Sequence, residues 1–212
     1  GIPGLSRYRV NAFKQRGNLV ATFRRLPFDI PNIQNLGLPD TILKLTETRK
    51  GLILITGGTG SGKSTTLAAM VQKISTELNG HIITIEDPIE YLYSHSKSLI
   101  NQREIGIDSP SYASALKSSL RQDPDLVVVG ELRDPESMAT ALTIAETGHL
   151  VFGTLHTSGA PNTINRLIDV FPAAQQGQVR SQLAESLRLV VTQQLVKTAD
   201  GNGRVAAFEI MG

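Results

Sequence analysis

From about residue 40 onward the apolar residues gather in short uninterrupted runs: Leu52-Ile53-Leu54-Ile55, Ile82-Ile83-Thr84-Ile85, Leu126-Val127-Val128-Val129 and Leu150-Val151-Phe152. Runs of this length, without polar alternation, suit strands buried on both faces. Between them, apolar positions recur at helical spacing over residues 65–78, 112–121 and 135–146. The alternation predicts an α/β fold with a mainly parallel sheet covered by helices. Val179, Leu183, Leu187, Val190, Val191 and Leu195 fall on one stripe and predict a later helix packed on the core; residues 204–210 predict a final strand.

The first stretch has a different character. Residues 7–13 and 19–26 alternate polar and apolar side chains over part of their length, and Arg16-Gly17-Asn18 between them predicts a hairpin. Two strands are too few to be stable alone. Pro27, Pro31 and Pro39 then interrupt a segment that reads as a linker into the main domain. The organisation expected is therefore a hairpin over residues 1–26, a linker over 27–39 and the α/β domain over 40–212.

Composition narrows the class only slightly. With 40% hydrophobic and 19% charged residues the chain reads as an ordinary globular protein, and a net charge of +2 gives no reason to expect nucleic acid as a partner. Without cysteine there is neither a disulfide framework nor a thiolate metal site. No run of about 18 apolar residues exists to span a membrane. Residues 1–5 show no initiator Met, basic region or apolar run of a signal peptide, so the sequence is expected to begin within a longer protein.

The firmest chemistry lies in Gly57-Gly58-Thr59-Gly60-Ser61-Gly62-Lys63-Ser64-Thr65, which follows a predicted strand and opens a predicted helix. Glycines there let the backbone turn its N–H groups inward. Lys63 supplies charge to terminal phosphates, the Ser64 hydroxyl suits Mg²⁺, and the helix offers its positive end to the anion. Such a cradle serves kinases, switches and motors alike, so neighbouring strand ends must discriminate. Residues 126–129 run into Gly130-Glu131, with Gly where many phosphate-loop proteins carry Asp, leaving Glu131 to hold Mg²⁺ directly or through water. Glu86, Asp87 and Glu90 follow another strand, and one of them can activate water, spacing alone not choosing between Glu86 and Glu90. His149 precedes the strand at 150–152 whereas His156 lies beyond its far end, so only His156 should share the crevice with Glu131.

Taken together, PGLSRYRVNAF, LILITGGTGSGKSTTLAAM, TIEDPIEYL, NQREIG, the stretch from Ala115 through Glu131-Leu132-Arg133-Asp134, AETGHLVFGTLHT and GRVAAFEIM resemble the secretion ATPases of type IV pilus and type II and IV secretion systems, most closely the PilT-like pilus retraction ATPases. The resemblance implies a RecA-like ATPase core preceded by the end of a PAS-like domain, assembled as a homohexamer with ATP and Mg²⁺ between subunits. It assigns Gly58–Thr65 to the nucleotide, Glu86, Asp87 and Glu90 to an acid box with Glu90 as the water-activating base, Glu131 to Mg²⁺ and the γ-phosphate, and His149 and His156 to a histidine box. Arg9 and Arg24, with Arg7 a weaker candidate, match the arginines that reach the phosphates; solvated strand arginines are the plainer alternative. The implied partner is an inner-membrane pilus platform protein, met from the cytoplasmic side without insertion.

Residues 171–204 hold no cysteine, unlike the four-cysteine module frequent in extension and secretion ATPases, which favours retraction. The chain is expected to lack a C-terminal helical part. Its alternatives are a secretion or assembly ATPase of the same superfamily, a non-hydrolysing nucleotide-binding regulator, and a small-molecule kinase.

Overall fold

The computed structural model describes residues 6–212; residues 1–5, including the Pro3-Gly4-Leu5 that opens one of the motifs, lie outside the described residues. Two sheets form. Strands β1 (Arg7–Gln15) and β2 (Asn18–Leu26) make the expected antiparallel hairpin, with Arg16 and Gly17 both at positive φ (50° and 83°) in a tight two-residue turn. The strands extend further towards the turn than the sequence pattern indicates.

The second sheet has the order β5-β4-β6-β7-β3-β8-β9, formed by β3 (Gly51–Thr56), β4 (His81–Glu86), β5 (Leu99–Glu104), β6 (Leu126–Val129), β7 (Leu150–Leu155), β8 (Leu187–Lys197) and β9 (Arg204–Met211). All pairings are parallel except that between β8 and β9. Helix α1 (Asp40–Lys44) and helix α2 (Lys63–Glu77) pack on one face, where Ile53, Ile55, Ile82, Val128 and Phe152 meet Ile42, Leu67, Met70 and Ile74. Helices α3 (Tyr112–Ser119), α4 (Pro135–Glu146), α5 (Ala160–Asp169) and α6 (Ala173–Ser186) cover the other, where Leu52, Leu54, Val127, Val129 and Val151 meet Leu116, Leu142, Leu167 and Leu183. Successive strand residues thus go to opposite cores, which is why their runs show no alternation. Side-chain caps start α3 and α4: Ser111 accepts from the Ser114 N–H and Asp134 from the Ser137 N–H, with Pro135 in the first turn.

Two expectations change. The stripe Val179 to Leu195 is not one helix: α6 carries Val179 and Leu183 but ends at Ser186, and Leu187, Val190, Val191 and Leu195 lie on β8. Residues spaced three and four apart also satisfy a strand when neighbours on both faces are buried. Here the β-branched Val190-Val191-Thr192 pair with β3, whose N–H and C=O groups would otherwise lie unpaired beside a buried core. The polar strand β5, unforeseen, sits at the sheet edge, where only one pairing partner exists. The linker also docks late in its course, since Ile33 and Leu38 are buried against the α2 face.

Among the described residues no helix is long and apolar enough to cross a membrane. Phe152, fully buried between β3 and β6, is a direct gauge of this core: Phe152→Ala should lose about 3–5 kcal/mol in urea unfolding. Leu99→Ala, at 51% exposure on edge strand β5, should stay within about 0.5 kcal/mol of the parent.

Candidate functional site

The carboxyl ends of β3, β4, β6 and β7 are neighbours in the sheet, so the loops leaving them converge on one crevice. From β3 the chain enters the glycine-rich loop, with positive φ at Gly57, Gly60 and Gly62, and turns into α2 at Lys63. Each of two glycines here answers a steric demand. A Cβ on Gly57 would lie 2.2 Å from the Gln193 carbonyl oxygen, and one on Gly62 would lie 2.6 Å from Gln193 Nε2. Strand β8 is therefore a wall behind the loop. Gln193 is held there by the Thr66 hydroxyl, which donates to Gln193 Oε1 at 2.9 Å.

Lys63 is 7% exposed, and its ammonium folds back on its own loop, donating to the carbonyls of Gly57 (2.6 Å) and Gly58 (2.9 Å). Burial pushes its pKa below the ordinary lysine value, against the pull of Glu131 and Glu90. Gly58, Thr59, Gly60 and Ser64 are exposed, Thr65 is bonded to the Tyr91 hydroxyl at 3.0 Å, and Ser61 Oγ is buried without a partner among the described residues.

Glu131 follows β6 and stands 3.2 Å from His156 Nε2, while His156 Nδ1 lies 3.5 Å from Lys63 Nζ. His156 thus bridges the loop lysine and the strand-end acid. Partial burial pushes the Glu131 carboxyl up, but the Arg133 hydrogen bond at 2.6 Å, His156 and the charge of Arg133 together hold it below the usual carboxylate range. Gly130 has a steric reason to lack a side chain, because a Cβ would come within 3.1 Å of the Ile85 carbonyl oxygen and 3.2 Å of Glu86 Cα and the Tyr112 hydroxyl. Burial and the charges of Asp87 and Glu131 push that Tyr112 hydroxyl up, keeping it neutral.

Beyond β4 the three acids have separate fates. Glu86 is committed to structure: it accepts from the Thr84 hydroxyl (2.7 Å), Gln102 Nε2 (3.1 Å) and the Glu90 N–H (3.4 Å), and burial pushes its pKa up. Asp87 is exposed, and the side chain of Glu90 makes no hydrogen bond among the described residues. His149 is remote from the crevice, its Nδ1 facing the Ile144 carbonyl at 3.3 Å. Arg9 and Arg24 are opposite each other in the hairpin, exposed and without an ion pair among the described residues. Arg7 instead binds carbonyls of the loop that carries Glu90.

Sequence reading missed Gln193, because its segment was assigned to a helix, and Arg133, although a cation two residues past a strand-end acid was a usable signal. The exposed Ser64 hydroxyl and the half-buried Glu131 carboxylate are each a hard oxygen donor of the kind Mg²⁺ accepts. The arrangement is chemically suited to a polyphosphate: a glycine-rich loop running into a helix start, one buried ammonium and carboxylates on adjoining strand ends.

Residues 20–210 match the family model described as type II/IV secretion system protein. The chain is 53% identical over 210 residues to the twitching motility protein of Neisseria gonorrhoeae, covering 99% of this chain and 56% of that one. It is 51% identical over 210 residues to the type IV pilus retraction ATPase PilT of Pseudomonas aeruginosa, covering 99% and 61%. The crystal structure of the pilus retraction motor PilT with bound ADP superposes with a TM-score of 0.96 at 53% identity, covering 100% of this chain and 61% of that one. The chain therefore spans less than two thirds of these relatives' length.

Gly57→Ala should disrupt the loop, combining φ of +138° with the 2.2 Å approach to Gln193, and should cost about 1–3 kcal/mol in thermal unfolding together with nucleotide binding. Gly58→Ala, with no atom within 4 Å of its Cβ, should keep parental stability. A carboxyl held below its unfolded value stabilises the fold above that value, about 4.3 for Glu, and the contribution disappears as pH falls through the lower folded value. Arg133→Ala should accordingly raise the Glu131 pKa in a carboxyl NMR titration and shift that loss to higher pH.

Proposed function

We propose, for a chain that belongs to the type II/IV secretion system protein family, that it is the core of an ATP-hydrolysing hexameric motor powering type IV pilus retraction. The observation that carries the hydrolytic part is the line Lys63–His156–Glu131, a phosphate-binding ammonium and a strand-end carboxylate joined through one imidazole. The retraction part is supported by identity of 53% and 51% across nearly the whole chain to proteins named for twitching and pilus retraction.

In this reading the loop N–H groups of residues 58–65 receive the phosphates, and Lys63 leaves the Gly57 and Gly58 carbonyls for the terminal ones. ATP rather than another triphosphate is the nucleotide. Mg²⁺ held by Ser64 and Glu131 supplies charge neutralisation at the phosphates. Glu90 takes the proton of the attacking water, its side chain being the one acid of the trio that is neither bonded inside the chain nor fully exposed. His156 holds Glu131 in place. Arg9 and Arg24 are offered outward by the hairpin, which suits a role on the phosphates of a neighbouring copy, where they stabilise developing negative charge.

The hairpin is the end of an N-terminal PAS-like domain and residues 40–212 the ATPase domain. Bending between them is confined to the part of the linker before Ile33, because Ile33 and Leu38 are already packed in the core. Working at the cytoplasmic face of the inner membrane, the ring transmits that motion to a pilus platform protein.

Glu131→Ala and Glu90→Ala should each bind nucleotide with near-parental affinity while turnover falls by about 10²–10⁴-fold, the range of general acid–base and charge-positioning groups. Phosphate release at the parental rate in both variants would refute the assigned roles.

A further inference from the structure

The two residues around the proposed base are held at four backbone points. The Ile89 N–H donates to Glu104 Oε2 at 3.0 Å and the Glu90 N–H to Glu86 Oε2 at 3.4 Å. From the other side, one guanidinium takes both carbonyls: Arg7 Nη2 donates to the Ile89 oxygen at 2.9 Å and Arg7 Nη1 to the Glu90 oxygen at 3.1 Å. Two acids of the large sheet and one arginine of the hairpin therefore saturate the main chain, leaving the Glu90 side chain as the movable part.

These holds differ in kind. Glu86 and Glu104 belong to the paired strands β4 and β5 and stay with the core. Arg7 belongs to the hairpin, whose strands pair with each other and with no strand of the large sheet. The fork geometry of a guanidinium matches two acceptors at once, so the Arg7 hold is either complete or lost when the hairpin shifts.

The hairpin register adds a consequence. Arg7 pairs with Leu26 and Arg9 with Arg24, and residues i and i+2 share a face, so Arg7, Arg9 and Arg24 lie on one side of the hairpin. Seating Arg7 on the Ile89 and Glu90 carbonyls therefore also fixes the orientation of the face that bears the other two arginines, both of which stay exposed.

We infer that Arg7 is a positioning residue that locks the Glu90 loop to the hairpin, so that placement of the base and presentation of Arg9 and Arg24 are set by one contact. This rests on the hydrolytic reading above. It differs from a phosphate-binding role for Arg7, because the acceptors its guanidinium meets are two carbonyls of its own chain.

The test uses the whole chain with Arg7→Ala and Arg7→Lys. Arg7→Ala should leave the Kd for ATP within about twofold of the parent, lower kcat about tenfold, and speed hydrogen exchange at the Ile89 and Glu90 amides about tenfold with residues 126–129 unchanged. Arg7→Lys, which keeps the charge but not the fork, should fall between. Combined with Glu90→Asp, Arg7→Ala should reduce kcat by much less than tenfold further. Parental exchange at Ile89 and Glu90 in Arg7→Ala would overturn the inference, as would a tenfold weaker Kd with unchanged exchange. A parent chain that binds ATP without hydrolysing it would refute the hydrolytic reading, and the exchange comparison would still decide the lock.

Discussion

The constraint on which the site depends is the contact between the glycine-rich loop and strand β8. With 2.2 Å between the place of a Gly57 Cβ and the Gln193 carbonyl, and 2.6 Å between that of Gly62 and the Gln193 side chain, the loop can pass only as bare backbone. That closeness has two effects. It fixes the turn from β3 into α2, which aims the helix start and Lys63 into the crevice, and it makes β8 part of the site although β8 contributes no charge. The seven-stranded order follows the same logic, with β3 flanked by β7, which supplies His156, and by β8, which supplies the wall.

Around this loop the charges differ in how far they are already committed. Lys63 is buried and bonded to two carbonyls, and Glu131 is half-buried between His156 and Arg133. Glu86 is spent on backbone and side-chain donors. Only Glu90, among the acids nearest Lys63, keeps an uncommitted carboxylate on a loop whose main chain is held. In the proposed reaction a carboxylate accepts a proton, which calls for a fixed backbone and a free head, and this position has both.

Much of this was legible in the sequence where one physical cause dominated. The apolar runs at 52–55, 82–85 and 126–129 identified strands buried on both faces, and the glycine spacing before Lys63 identified the turn from β3 into α2. His156 could be placed beside Glu131 from the order of strand and histidine alone. Legibility failed where causes competed. Residues 187–195 satisfy both helical and strand spacing, and no Gly or Pro separates α6 from β8, since Leu187 simply turns extended at φ −67°, ψ 128°. That error hid Gln193. Strand β5 carries only Leu99 and Ile100 as apolar residues, so it was not foreseen and Glu104 was given no role, and the bonds of Arg7 to loop carbonyls depend on tertiary placement that no local pattern encodes.

If the exposed arginines of one copy complete the crevice of another, catalysis must depend on association while the phosphate loop remains whole in each chain. Phosphate release per chain, measured across chain concentration at saturating ATP and Mg²⁺, tests this most directly. Specific turnover should rise steeply with concentration and then level off as the shared sites fill. Turnover that is absent, or that is constant from the most dilute sample upward, would contradict a hydrolytic site built between copies.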